Sequence, residues 1–155
     1  MRSTLTQKAT RLLHLGRLPA AARAALESDG GIVYLAEGIG ISATFRSFKA
    51  QGVRCLWRKM GFIGFLALSE RRIATKAQCW HLVDLNVPYD DPRFQAITFR
   101  ADRRCLILAF DAADLMPPAS GHTEVRLYVP DLFAVLDVLA AKGASVEPQR
   151  GVQTA

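Results

Sequence analysis

The sequence has few cysteines and no long apolar run. Cys55, Cys79 and Cys105 are the three cysteines among 155 residues, and they are widely spaced, whereas a disulfide framework favours an even number in a cysteine-dense chain. We therefore expect reduced thiols and a cytoplasmic protein. The longest apolar run, Met60 to Leu68, is about half the length of a membrane-spanning helix, so no transmembrane segment is expected.

Motifs for nucleotides and metals are also missing. Gly38, Ile39 and Gly40 form a G-x-G without its last glycine or a following helix, which is insufficient for a dinucleotide site. Cys79 and His81 share one face of a predicted strand, but no second ligand pair occurs at zinc spacing. We expect no cofactor, no metal and no catalytic residue.

The composition indicates one packed domain with a basic surface. A hydrophobic fraction of 50% and a charged fraction of 22% are ordinary for a globular protein, and a chain of this length buries enough surface for one core. The formal charge of +6 and the pI near 9.7 favour nucleic acid or an anionic membrane as a partner, although net charge also aids solubility.

The first 26 residues contain five cations and no acid. An amphipathic helix is predicted after Ser3 or Thr4, and Pro19 opens a second, alanine-rich helix through Leu26. The segment is interpretable as a targeting leader, a membrane-surface helix or a helix packed on the domain. Two glycines after Asp29 permit a positive φ, so the N-terminal helical segment is predicted to cover residues 1–29.

Residues 30–143 change to a β pattern that ends in one helix. Turn residues separate short runs rich in β-branched, aromatic and aliphatic side chains, which predict antiparallel strands about ten residues apart. After Pro130 and Asp131, apolar residues recur at helical spacing as far as Leu139; residues 144–155 are predicted to be an extended tail. The predicted strands are Ile32–Ala36, Ile41–Phe48, Val53–Met60, Phe62–Leu68, Trp80–Val87, Phe94–Arg100, Cys105–Phe110 and Thr123–Val129.

One stretch carries a family resemblance. In GFIGFLALSERRI an apolar strand that starts with glycine ends in a polar turn, and the next strand begins with an aliphatic residue. This pattern resembles the hairpin of pleckstrin-homology-like (PH-like) and GRAM-like domains over roughly residues 30 to 142, with departures in the N-terminal helices and in the connection from Asp111 to His122. The matching residues are Gly64, Leu66, Leu68, Ser69, Arg72 and Ile73.

The resemblance implies a mainly β (α+β) fold, in which curved antiparallel sheets form a small PH-like barrel or roll. One C-terminal helix caps the barrel, and N-terminal helices precede it. Members of these families are typically adaptor modules that bind phosphoinositides, acidic membranes or peptides. A non-enzymatic binding module is therefore the expectation.

The densest charge bias lies between Arg46 and Lys76, where eight cations are opposed only by Glu70. Convergent arginines favour phosphate, and an exposed Trp57 would suit a membrane interface. The predicted ligand-binding residues are Arg46, Lys49, Arg54, Trp57, Arg58, Lys59, Arg71 and Arg72.

Three functions follow from this surface. The first is a binding module for anionic lipid headgroups or a protein partner, cytoplasmic or peripheral at a membrane. The second is a small nucleic-acid-binding barrel whose strand aromatics Phe45, Phe48, Trp57, Phe62 and Phe65 stack on bases. The third is an enzyme with an open-barrel pocket around His81 and Asp84.

Overall fold

The computed structural model of the protein describes residues 15–78 and 83–147. Strands account for 53% of the described residues and helices for 21%, which confirms the prediction of a mainly β fold with a C-terminal helix. The predicted helix after Ser3 or Thr4 lies outside the described residues, and so do Cys79, Trp80 and His81.

The strands form one curled sheet in which β1 is central. The strand order is β4-β3-β2-β1-β7-β6-β5-β8, so β1 joins two antiparallel meanders, and β8 pairs with β5 in parallel. The described elements are α1 (Ala20–Ser28), β1 (Ile32–Ala50), β2 (Val53–Ser69), β3 (Arg72–Ala77), β4 (Asp84–Pro88), α2 (Pro92–Gln95), β5 (Thr98–Asp102), β6 (Cys105–Asp111), α3 (Ala112–Leu115), β7 (Ser120–Leu127), α4 (Leu132–Ala141) and β8 (Ser145–Val146).

Two long strands replace four predicted ones. β1 contains both runs predicted between Ile32 and Phe48, and β2 contains both runs predicted between Val53 and Leu68. The glycines that suggested breaks lie within the ladder, which shifts register between Glu37 and Ile39 and pairs Gly61 directly with Ser42. Cross-strand pairing therefore overrides the local weakness of glycine in a strand.

Two other boundaries differ from the prediction. The strand predicted from Phe94 begins at Thr98, because Pro92–Gln95 forms a short helix whose first turn is capped by the Asp91 carboxylate. The tail predicted from residue 144 begins with β8, which pairs with β5.

α1 and its end agree with the sequence. The helix starts directly after Pro19, and Gly30 and Gly31 both have positive φ, 105° and 96°, as the predicted break requires. The chain thereby turns from α1 into β1.

Two apolar layers cover opposite faces of the sheet. On the inner face, the buried side chains Leu132, Val135 and Leu139 of α4 pack in the main core. On the outer face, Leu18 and Leu26 pack with buried side chains of β2 and β3 in a second cluster. The C-terminal third of β2, residues 64–69, is consequently buried on both faces, which explains its nearly continuous apolar sequence.

Close packing at Gly64 gives a stability prediction. A Cβ added at Gly64 would meet the carbonyl oxygen of Lys76 and lie 2.5 Å from Cδ1 of Ile41. Because a β3 backbone atom cannot move aside without disturbing the ladder, Gly64→Ala is expected to lower the free energy of unfolding by about 1–3 kcal/mol. Urea denaturation measures this loss.

Gly61→Ala is the matched control, since a Cβ at Gly61 meets no atom within 4 Å. Its free energy of unfolding should stay within about 0.5 kcal/mol of the parent value or rise slightly. Equal losses in both variants would contradict the packing described for Gly64.

Candidate functional site

The eight predicted site residues fall into two groups at opposite ends of β2. One group lies on the β1–β2 hairpin, in residues 46–59, which we call the hairpin end. The other group, Arg71 and Arg72, follows Ser69 in the turn of residues 69–72, which we call the polar turn. Between Lys59 and the polar turn at Ser69, β2 extends by about 33 Å at the usual rise of a strand, so the two groups do not form one site.

The polar turn is held by hydrogen bonds to one serine. Ser69 is fully buried, and its Oγ accepts hydrogen bonds from the backbone nitrogens of Arg71 at 3.2 Å and Arg72 at 3.0 Å. Nε of Arg72 donates to Oδ2 of Asp29 at 2.7 Å, and Arg71 lies 3.9 Å from the same carboxylate. The turn thereby fastens the end of α1 to the sheet.

A second set of contacts joins the polar turn to α4. Nζ of Lys142 donates to Oε2 of Glu70 at 2.9 Å, and it also lies 5.6 Å from the ring centre of Tyr89. The Tyr89 hydroxyl donates to the Ser69 carbonyl at 3.0 Å. Burial raises the pKa of Tyr89, and the Glu70 carboxylate adds to the rise.

The cavity at the polar turn therefore has mixed charge. It measures about 550 Å³, and acids and cations both line it. An anion bound here would have to displace the Asp29 carboxylate from Arg72, because these two side chains already form a 2.7 Å ion pair. The lining residues are Asp29, Glu70, Arg71, Arg72, Pro88, Tyr89, Asp90 and Lys142.

The hairpin end arranges its cations across two strands. Lys49 pairs directly with Arg54, and Arg46 pairs with Trp57. Arg58 pairs with the buried Phe45. Directly opposite side chains share a face of a sheet, so Arg58 lies on the side of the core, whereas Trp57, one residue earlier, points to the other side.

The five cations of the hairpin end have no acidic partner among the described residues. None of them forms an ion pair there, although the described ion pairs involve cations from α1, β3, α2, β5, β7 and the end of α4. Residues 46–59 themselves contain no acid. Like charges directly opposite on neighbouring strands are unfavourable, so Lys49 and Arg54 gain from any anion that approaches both. The five are Arg46, Lys49, Arg54, Arg58 and Lys59.

The hairpin end also exposes two large apolar side chains. Leu56 is 87% exposed and Trp57 is 61% exposed. By contrast, Phe45, Phe48 and Phe65 are buried, and Phe62 packs partly against the core. Of the five aromatics considered for base stacking, Trp57 alone is exposed.

Leu56 was not predicted as a site residue. Its sequence signal was its position between Arg54 and Arg58, close to the turn at Gln51 and Gly52. A cavity of about 360 Å³ lies beside it, lined by Ser47, Phe48, Lys49, Arg54, Cys55 and Leu56.

A kink in β1 shapes the hairpin end. Ser47 has a φ of 49°, and the β1–β7 ladder is irregular between Arg46 and Lys49. Gly121 of β7 accommodates this kink, because its φ is 114° and an added Cβ would lie 2.6 Å from Cα of Phe48 and from the Ser47 carbonyl oxygen. The sequence gives no local signal for Ser47 in this conformation.

Of the two residues of the enzyme hypothesis, Asp84 lines a cavity of about 440 Å³ between α1 and strands β3 and β4. His81 lies outside the described residues, and Asp84 is exposed, with its carboxylate 3.6 Å from Nζ of Lys76. Within residues 15–78 and 83–147, no three His, Cys, Asp or Glu side chains gather as a metal site. None of the helices in these ranges combines the length and apolar character needed to cross a membrane.

No protein-family model matches the chain, and no curated protein matches it in sequence.

Adjacent arginines of the polar turn provide a test of its structural role. Arg72→Gln removes the 2.7 Å contact with Asp29. Arg71→Gln removes only a 3.9 Å contact with Asp29, and the Arg71 side chain is 73% exposed. We expect Arg72→Gln to lower the free energy of unfolding by about 1–2 kcal/mol and Arg71→Gln by less than about 0.5 kcal/mol. Chemical denaturation compares the two variants, and a larger loss for Arg71→Gln would refute this assignment.

Proposed function

We propose that the protein is a non-enzymatic binding module that docks on anionic membrane surfaces through the hairpin end. The observation that supports this function is a group of five cations without acidic partners among the described residues, around the exposed side chains of Leu56 and Trp57. Tryptophan and leucine beside lysine and arginine are the residue types that occupy a membrane interface. The protein is then peripheral at the membrane.

The expected affinity is moderate. Each lysine or arginine near an anionic membrane contributes about 1 kcal/mol, and burial of one leucine side chain adds roughly 2 kcal/mol. A total of about 7 kcal/mol corresponds to a Kd on the order of 10 µM. This affinity suits reversible binding and is measurable by vesicle sedimentation.

The sheet limits how deeply the hairpin end enters the bilayer. Apart from β1, no described strand pairs with β2 between Val53 and Lys59, so the edge away from β1 presents backbone groups without a described strand partner. Hydrocarbon cannot satisfy backbone hydrogen bonds, and the edge must therefore stay at the level of the headgroups. Trp57 suits this depth because its indole has an apolar body and a polar N–H.

The family resemblance supports the same function. PH-like and GRAM-like domains are binding scaffolds, and the two meanders with a terminal helix are compatible with such a scaffold. The nucleic-acid alternative has less support, because base stacking would rely on Trp57 while Phe45 and Phe48 are buried.

Charge reversal at the hairpin end tests the proposal. Arg54→Glu combined with Arg58→Glu changes the local charge by four, which is expected to weaken binding by about 4 kcal/mol, or roughly 1,000-fold. Co-sedimentation with vesicles of phosphatidylcholine and phosphatidylglycerol measures binding, with pure phosphatidylcholine vesicles as the reference. Rising sodium chloride should weaken binding of the parent chain.

Arg103→Glu with Arg104→Glu is the matched control. It changes the net charge equally in the β5–β6 turn, which lies beyond the end of β7 opposite to the hairpin end. Binding should fall much less in this variant. Equal losses in the two variants would show that only net charge matters, and binding to single-stranded oligonucleotide but to no vesicle would replace the membrane by nucleic acid.

A further inference from the structure

The membrane function leaves one feature of the hairpin end unexplained, the open edge of β2. β2 pairs with β3 from Gly64 to Leu68, and the backbone N–H of Gln78 donates to the Ile63 carbonyl at 2.8 Å. Beyond this point, from Val53 to Lys59, no described strand borders β2 on the side away from β1. The other side pairs with β1 at Val53–Cys55 and at Trp57–Lys59.

An edge of this kind is prepared to accept a further strand. In an antiparallel ladder, alternate residues direct their N–H and C=O groups away from the neighbouring strand, and an extended peptide can satisfy these groups by strand addition. Exposed edges in proteins are usually short, bulged, covered or charged, and of these protections the edge of β2 carries the charges Arg54, Arg58 and Lys59. This edge keeps one register with β1 on both sides of the kink at Ser47, and it carries Leu56 and Trp57, which are among the most exposed large apolar side chains of the described residues.

The positive charges at this edge favour an acidic strand over a second copy of this chain. Arg54, Arg58 and Lys59 lie on the edge strand, and Arg46 and Lys49 on its neighbour, so a second copy of this chain would bring five more cations to the same place. Like charges across an interface are unfavourable by several kcal/mol. An acidic strand is instead attracted by all five cations.

We propose that the β2 edge from Val53 to Lys59 binds an extended acidic segment of a partner protein by strand addition. Acidic and apolar side chains alternate along this segment, because successive residues of a strand point to opposite faces of the sheet. Acidic side chains reach Arg54 or Arg58, and apolar side chains cover Leu56 or Trp57. This inference does not depend on membrane docking, since it rests on the backbone edge as well as on the cations.

A random linear peptide library displayed on phage, selected against the full chain, tests the inference. The selected peptides should be acidic with interspersed apolar residues, and synthetic members should slow amide hydrogen exchange within Val53–Lys59. Failure to select any peptide would overturn the inference. Selection of neutral or basic peptides, or protection confined to other segments, would do the same.

A charge swap makes the test specific. Arg54→Glu with Arg58→Glu should weaken the selected peptides by roughly 10- to 100-fold, and peptides with lysine in place of their acids should regain binding to this variant. Arg103→Glu with Arg104→Glu, at the distant β5–β6 turn, should leave peptide binding unchanged. Unchanged binding in the hairpin-end variant, or an equal loss in the control, would overturn the proposed edge site. Vesicle binding is measured separately, so either proposal can fail without the other.

Discussion

The rest of the structure depends on the burial of β2 between two apolar layers. Leu66 and Leu68 point into the main core, and Phe65 and Ala67 point into the cluster beneath α1. A strand covered on both faces is predominantly apolar, and the buried Ser69 is accommodated here because its hydroxyl is hydrogen-bonded in the polar turn. Glycine is required at residue 64 by the close approach of the Lys76 backbone and the Ile41 side chain. Residues 64–69 of β2 are held by both layers. The preceding part of β2 therefore extends as a continuation of a rigid strand, beyond the last described pairing with β3.

This arrangement separates positive charges that contact acids from positive charges that do not, among the described residues. The polar turn places its arginines against Asp29, where they hold α1 to the sheet. The hairpin end carries five cations and no acid within residues 46–59, an excess equal to that of the whole of residues 1–26 but carried by a shorter segment. A local charge of this size on a narrow projection attracts polyanions more strongly than the same charge spread over the surface.

The sequence predicts where helices lie in the chain better than it predicts which residues are neighbours in space. The period of the apolar residues predicts α4, and Pro19 with the glycines after Asp29 predicts α1, because these signals act within one or two turns. The burial of Phe45 and the exposure of Trp57 have no such local cause. Both are strand aromatics beside cations, and they differ because β7 and the core cover Phe45 while Trp57 faces the opposite side.

The same limit applies to the candidate site. Eight cations with a single intervening acid predicted one cluster, but a strand of this length carries residues that are close in sequence far apart in space. Ser69 and Asp29 determine the environment of Arg72, and Asp29 is distant in sequence. The edge of β2 lacks a described strand partner beyond Gly64 because β3 ends at Ala77. Neither the charge pattern nor the apolar pattern of the sequence indicates where β3 ends.

The two proposed ligands share one set of cations, and this predicts how binding of one would affect binding of the other. An acidic strand on the β2 edge neutralises charge that an anionic membrane would otherwise attract, so each ligand lowers the affinity for the other by the same factor. The strand also satisfies the edge backbone groups, which removes the cost that keeps the hairpin end at headgroup depth. The shared charges therefore make the two ligands compete, whereas the satisfied backbone groups favour binding of both. At low salt the charges dominate and the ligands compete, whereas salt screening weakens the competition and leaves the backbone term intact.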